Sequence, residues 1–146
     1  MIRYVTIFLL SLIGTFIIDQ GIKALFLDGF YHAGQCIDWE LHINHGVAFS
    51  MLSFLGEYLK WLQLAIVALI IFMAFKEQFI QKYALAMGFL LGGALGNLYD
   101  RFVHGGVIDY VAWHCGFNYA VFNYADVAID IAVVWIAISM FRDKSK

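Results

Sequence analysis

The sequence predicts an α-helical polytopic membrane protein with four transmembrane helices and a small outward-facing β-cradle between helices 1 and 2. Of its 146 residues, 63% are hydrophobic and only 14% are charged, whereas a soluble domain is typically about 45–50% apolar and about 25% charged. A domain of this length has a high surface-to-volume ratio, so its core cannot hold that many apolar side chains. We therefore expect a single membrane-embedded domain over residues 1–146, with apolar surface facing lipid.

Apolar runs nearly free of charge predict the four spans. They cover residues 4–26, 61–75, 83–99 and 125–141. A helix needs roughly 20 residues, with a range of about 17–25, to cross about 30 Å of hydrocarbon. The second and third runs therefore need flanking residues, such as 58–60 before the second.

The distribution of Lys and Arg predicts the orientation of the spans. Six of the nine lie at the N-terminus, between the second and third spans, and in the C-terminal tail: Arg3, Lys76, Lys82, Arg142, Lys144 and Lys146. Basic residues favour the cytoplasmic side of a membrane. We therefore expect both termini to be cytoplasmic and the connections over residues 28–57 and 100–124 to face outward.

The first outward connection contains a pattern typical of a strand. Apolar and polar side chains alternate there in the order Ile37, Asp38, Trp39, Glu40, Leu41, His42, Ile43, Asn44. A period of two is typical of a half-buried β-strand. We expect this strand to rest with its apolar face on the helix ends or on the lipid interface.

On this topology, most polar residues inside or beside the spans collect at the outer helix ends. They are Asp19, Lys23, Asn97, Asp100, Arg101, Asp109, Asn123 and Asp126. Ionisable groups inside a membrane are costly and are functional candidates by default. Asp19 and Lys23 are four residues apart and predict an ion pair. Asn97, Asp100 and Arg101 share one helix face and fit either a helix-end polar network or a functional site.

Asp109 and Asp126 are the strongest candidates for a catalytic pair. Asp109 follows the third span after the turn at Gly105 and Gly106, and Asp126 opens the fourth span. Two carboxyl groups held close together share one proton, so that one acts as a base and the other as an acid. Such a pair activates water for attack on a peptide carbonyl without a metal or a covalent intermediate. The alternative is that Asp126 only caps its helix.

Other chemistries find little support in the sequence. His42 and His45 lack the helical spacing of a metal-binding motif, no serine lies in a nucleophile motif, and the small-residue run over residues 92–96 indicates close helix packing. The net charge of −2 includes no basic stripe, so nucleic acid is not an expected partner. We expect no cofactor and no metal. Whether Cys36 and Cys115 are bonded stays open.

From these residues alone, three classes of protein remain: a protease, a structural tetraspan scaffold, and a transporter or proton channel. In the transporter or channel, a relay would use Asp19, Lys23, Asp126 and Asp130. A relay needs ionisable groups at mid-depth and towards both faces, whereas here they crowd one end.

Four motifs, in order along the chain, resemble the lipoprotein signal peptidase (signal peptidase II) family. The motifs are Asp19-Gln20-x-x-Lys23; Asn44-x-Gly46-x-Ala48-Phe49-Ser50; Gly92-Gly93-Ala94-x-Gly96-Asn97-x-x-Asp100-Arg101 followed by Gly106-x-x-Asp109; and Phe122-Asn123-x-Ala125-Asp126. Each motif is modest alone, and the ordered set is specific. The sequence departs from the family at Ala120, where a proline is usual, and at Asp130.

The resemblance implies a bacterial inner-membrane aspartic protease with its active site near the outer, periplasmic face. Such an enzyme removes the signal peptide from diacylglyceryl-modified prolipoproteins, cleaving just before the lipidated cysteine. Its catalytic residues would be Asp109 and Asp126. The implied substrate-binding residues are Asn44, Gly46, Asn97, Arg101 and Asn123, and the implied supporting residues are Asp19, Lys23 and Asp100. The implied partners are lipidated prolipoproteins, membrane lipid and globomycin-type inhibitors, and we expect a monomer.

Overall fold

The computed structural model describes residues 2–46, 53–117 and 119–144 and contains four long helices. They are α1 (Ile2–Leu27), α2 (Tyr58–Lys76), α3 (Phe79–Val103) and α4 (Tyr124–Lys144). Each is long and apolar enough to span a membrane, which confirms the predicted count. Each begins earlier and ends later than the apolar run that predicts it, because polar residues occupy the helix ends. Ala48, Phe49 and Ser50 of the second motif lie outside the described residues.

Helix α3 is the central helix of the molecule. More than half of its most apolar segment is buried within the protein, whereas the other three helices expose most of theirs. Close approach depends on the glycines of α3. A Cβ added at Gly92 would lie 2.7 Å from the carbonyl oxygen of Leu12 on α1, and one added at Gly93 would lie 2.7 Å from that of Ala125 on α4. The run over residues 92–96 therefore packs helices closely, as predicted.

The outer surfaces of α1, α2 and α4 are strongly apolar. Large side chains such as Leu10, Ile17, Leu69, Phe75 and Ile131 are each more than half exposed. This surface suits a lipid environment and agrees with the excess of apolar residues in the composition. The protein is a multi-pass membrane protein.

The cradle is a two-stranded antiparallel sheet of β1 (Ile37–Asn44) and β2 (Val107–Trp113). The predicted strand β1 is confirmed. Its partner β2, which the sequence did not predict, comes from the connection between α3 and α4. Strand β2 is buried over its first five residues and is apolar apart from Asp109, so it lacks the period-two pattern that predicts a half-buried strand.

The apolar face of β1 rests on the helices only in part. Trp39 stacks with Phe26 at the end of α1, with ring centroids 6.4 Å apart. Leu41 and Ile43 are exposed, whereas Asn44 turns towards β2 and donates a hydrogen bond to Asp109. The polar side of this strand end therefore faces the interior, because the buried carboxyl group of Asp109 needs a donor.

A disulfide joins Cys36 to Cys115, with their Cα atoms 4.4 Å apart. It lies at the end of the sheet where Ile37 pairs with Trp113, whereas Asn44 pairs with Val107 at the other end. The bond holds the far end of the cradle together and answers the question that the sequence left open.

Candidate active site

The two candidate catalytic aspartates are held by different elements. Asp109 is the third residue of β2 and is 2% exposed. Asp126 lies in the first turn of α4, where Asn123 precedes the helix. Asn123 Oδ1 accepts the Asp126 N–H at 2.9 Å, and Asp126 Oδ2 accepts the Asn123 N–H at 3.1 Å. This reciprocal pair is a capping box, so one oxygen of Asp126 does cap the helix.

Two asparagine amides connect the aspartates. Asn123 Nδ2 donates to Asp109 Oδ1 at 2.7 Å and lies 3.1 Å from Asn97 Oδ1. Asn97 Nδ2 in turn donates to Asp126 Oδ1 at 2.8 Å. On the other side, Asn44 Nδ2 donates to Asp109 Oδ2 at 2.9 Å. Each of the four carboxyl oxygens therefore has an N–H partner, and these bonds fix the orientation of both groups.

Both aspartates line one groove of about 680 Å³, to which α2, α3, α4 and β2 contribute. Polar groups gather at the aspartates, and the remaining lining is largely apolar. The apolar lining includes Leu59, Leu62, Ile66, Val107, Phe122, Val127 and Ile129. A largely apolar groove with a few convergent polar groups is the usual form of a binding site.

Burial tunes the acidity of Asp109. It raises the pKa of this carboxyl group to about 6, because a charged carboxylate is poorly solvated there. The hydrogen bonds from Asn44 and Asn123 lower this pKa, and the charge of Asp126 raises it. A pKa near 6 leaves Asp109 able to hold or release a proton near neutral pH.

Arg101 ties the end of β1 to the groove. Its side chain is buried, and Nη2 donates to the Gly46 carbonyl at 2.7 Å. Its Nε donates to Gln63 Oε1 at 2.6 Å, and Gln63 Nε2 donates to the Ala94 carbonyl at 3.2 Å. Sequence reasoning missed Gln63. The signal available was a polar side chain inside the apolar run of α2, on the groove side.

A buried ion cluster lies behind the aspartates. Lys23 Nζ lies 2.7 Å from Asp19 Oδ2 and 2.6 Å from Asp100 Oδ2, and all three residues are at most 1% exposed. Lys23 also donates to Asn97 Oδ1 at 2.9 Å. The predicted pair of Asp19 and Lys23 is confirmed, and Asp100 completes it.

The ion cluster also holds backbone next to both aspartates. Asp19 Oδ1 accepts the N–H of Ala125, which precedes Asp126, at 3.1 Å. Asp100 Oδ2 accepts the N–H of Ile108, which precedes Asp109, at 3.1 Å. The cluster therefore fixes the start of α4 and the start of β2 relative to α1 and α3.

The structure thus brings together all ten predicted site residues, with Gly46 taking part through its backbone. Asp130 lines the same groove but is exposed on α4, away from the ion cluster. Lys23 is enclosed by Asp19 and Asp100 at the same end of the helices as Asp126. These ionisable side chains do not continue from one membrane face to the other, whereas a proton relay needs a series that does.

Known proteins of one family are similar to this chain over most of its length. The family described as signal peptidase (SPase) II matches residues 11–142. A lipoprotein signal peptidase of Sulfurovum sp. (strain NBC37-1) is 60% identical over 139 residues, covering 95% of both chains. One from Sulfurimonas denitrificans is 53% identical, covering 98% of this chain and 93% of its own. One from Helicobacter pylori (strain P12) is 45% identical, covering 94% and 91%.

The fold also matches a solved structure. A bacterial membrane enzyme determined by the in meso method at 1.9 Å resolution superposes with a TM-score of 0.79. It is 24% identical in sequence, and the match covers 93% of each chain. Four helices, a two-stranded cradle and a site at their junction therefore occur together with a sequence match over most of the chain, and the chain belongs to the signal peptidase II family.

Proposed function

We propose that the protein is a membrane aspartic endopeptidase that removes the signal peptide from diacylglyceryl-modified prolipoproteins, cleaving just before the lipidated cysteine. Membership of the signal peptidase II family and the names of its relatives support the substrate class. One observation carries the mechanism: two carboxyl groups, linked by Asn97 and Asn123, line one largely apolar groove.

In this mechanism Asp126 is the base and Asp109 is the acid. Asp126 lies at the N-terminus of α4, where the helix dipole and the Asn123 N–H offset part of the cost of burying a carboxylate. Asp109 has a raised pKa of about 6 and holds a proton more readily than an ordinary aspartic acid. The environments of the two groups therefore suit opposite roles.

The reaction then proceeds in two proton-balanced steps. Asp126 takes a proton from water as the water oxygen attacks the scissile carbonyl carbon, and Asp109 gives its proton to the carbonyl oxygen. The resulting tetrahedral intermediate carries two hydroxyl groups. As the C–N bond breaks, Asp126 gives its proton to the leaving nitrogen and Asp109 takes one back from a hydroxyl. Both groups return to their starting states.

The rest of the site positions the substrate. Its apolar walls accommodate acyl chains and the signal-peptide helix, and Arg101 holds the end of the cradle beside the groove through Gly46. The Lys and Arg distribution supports cytoplasmic termini, with the active site at the periplasmic face of the inner membrane. We also propose that the enzyme is a monomer and that globomycin-type cyclic peptides inhibit it by occupying this groove.

The proposal is tested with purified protein in lipid vesicles and a synthetic prolipoprotein, with and without its diacylglyceryl group. The wild type should release a product that begins at the lipidated cysteine, detected by mass spectrometry, and should spare the unlipidated form. Asp109→Asn and Asp126→Asn should not cleave, whereas Asp143→Asn, at the other end of α4, should cleave normally. Asp109 and Asp126 together are called the dyad below. Full cleavage by either of their two variants, or equal cleavage of both substrates, would contradict the proposal.

A further inference from the structure

Asp130 is an acidic residue in a membrane-spanning helix that the proposed mechanism does not use. It lies four residues after Asp126 on α4 and lines the same groove. At a rise of about 1.5 Å per residue, its backbone lies about 6 Å further along the helix, towards the middle of the span. Its side chain forms no hydrogen bond or ion pair with any other residue among 2–46, 53–117 and 119–144.

This isolation distinguishes Asp130 from the other acids of the site. Asp19, Asp100, Asp109 and Asp126 each accept a bond from an N–H group or lie against Lys23. The groove around Asp130 is largely apolar, with Val127 and Ile129 on the same helix and Ile66 on α2. A carboxylate in such a place is costly unless a donor reaches it. A ligand in the groove can supply that donor.

A peptide substrate brings such donors. The chain must be extended at the scissile bond for the dyad to reach the carbonyl, so the residues beside that bond lose their helical hydrogen bonds. Their N–H groups then lie at membrane depth, where they need an acceptor from protein. Two extended residues span about 6.6 Å, which is close to the offset of about 6 Å between Asp126 and Asp130.

We propose that the Asp130 carboxylate accepts a hydrogen bond from a substrate backbone N–H about two residues to the signal-peptide side of the scissile bond. The signal-peptide side is the one that enters the membrane, in the direction in which Asp130 lies from Asp126. Asp130 is then a substrate-binding residue that sets the position of the extended substrate chain relative to Asp109 and Asp126. The inference rests on the proposed function.

The test compares Asp130→Leu, which removes the acceptor, with Asp130→Asn, which keeps an acceptor oxygen and removes the charge. Asp130→Leu should lower kcat/KM about 10- to 100-fold, as expected for a hydrogen bond to a charged group. Asp130→Asn should recover part of that loss, because a neutral acceptor forms a weaker hydrogen bond. Asp143→Leu controls for the loss of an acidic residue elsewhere on α4. Because Asp130 is exposed, the variants should retain the wild-type thermal unfolding temperature.

A second arm uses substrates in which one amide N–H on the signal-peptide side is replaced by an ester oxygen, one position at a time. An ester at one position, about two residues from the cleavage site, should lower the rate of cleavage by the wild type about tenfold. The same ester should not change the rate of cleavage by Asp130→Leu. Equal ester costs in both enzymes, or normal cleavage by Asp130→Leu, would overturn the inference alone. An Asp130→Asn variant as slow as Asp130→Leu, with a displaced pH profile, would assign Asp130 an electrostatic role and overturn it too. Failure of the wild type to cleave would overturn the proposed function and this inference together.

Discussion

Replacing Lys23 with Met should reveal how much of the stability depends on the buried ion cluster. Lys23 Nζ lies 2.7 Å from Asp19, 2.6 Å from Asp100 and 2.9 Å from the Asn97 amide oxygen. Lys23 is 1% exposed, and the two aspartates are fully buried. The substitution removes the only cation that contacts these two carboxylates among the described residues, and leaves them facing each other.

The magnitude follows from that burial. Breaking a buried ion pair by removing one partner costs about 3–5 kcal/mol, because the remaining charge is neither solvated nor paired. Lys60→Met is the matched control, since Lys60 pairs with Glu57 at 3.4 Å and Glu57 is 91% exposed. An exposed pair contributes about 0–1 kcal/mol. The losses in free energy of unfolding caused by the two lysine substitutions should therefore differ by at least about 2 kcal/mol.

The assay is reversible unfolding in mixed micelles, with the free energy of unfolding extrapolated to zero denaturing detergent. A third variant, in which Asp19 and Asp100 become Asn alongside Lys23→Met, removes all three charges and should recover most of the loss. If Lys23→Met is as stable as Lys60→Met, the cluster is not a buried charge network of the kind described. If the fully neutral variant is no more stable than Lys23→Met, loss of packing rather than unpaired charge explains the effect.

Three further predictions concern the groove and the helix packing. Asp109 must be protonated to act as the acid, and its pKa is about 6. A pH–rate profile should therefore show kcat/KM falling about tenfold per pH unit above that value. A profile that rises through pH 6 would reverse the roles of the two aspartates. Gln63→Leu removes the acceptor for the Arg101 Nε and should lower kcat/KM about 10- to 100-fold, whereas Gln63→Glu keeps an acceptor and should restore most of the activity. Equal losses in both Gln63 variants would exclude this positioning role. Gly92→Ala places a Cβ 2.7 Å from a carbonyl oxygen of α1 and should cost about 1–3 kcal/mol in the same unfolding assay. Gly14→Ala meets no atom within 4 Å and should be neutral or slightly stabilising, and a similar cost for both would contradict the close-packing interpretation.

The helices could be predicted from the sequence because hydrocarbon imposes one simple requirement, a long apolar run, on every span. Strand β2 could not, because it is buried and its apolar run hides the alternation that made β1 visible. Asp109 follows the turn at Gly105 and Gly106, as the sequence indicates, but its place inside a strand could not be predicted. Asp109 could still be identified as a candidate, because an acid among apolar residues is conspicuous wherever it lies.

In the site, contacts within one helix could be predicted from the sequence, and contacts between helices could not. Spacing along one helix predicted that Asp19 pairs with Lys23, because residues four apart share a face. It could not predict that Asp100 joins them, or that Asn97 links Lys23 to Asp126, because those contacts cross between helices. The same holds for Gln63 on α2, whose role depends on Arg101 on α3.

The proposed mechanism requires Asp109 and Asp126 to act as one catalytic unit, and a double-mutant cycle measures whether they do. Single-turnover cleavage of the lipidated prolipoprotein is measured for Asp109→Asn, Asp126→Asn and the double variant, each checked for wild-type unfolding temperature. Each single substitution should lower the rate constant about 10²- to 10⁴-fold, and the double variant should be no slower than the slower single one, because residues of one unit are not additive. A double variant whose loss equals the product of the two single losses, or a single variant that retains the wild-type rate, would contradict the mechanism.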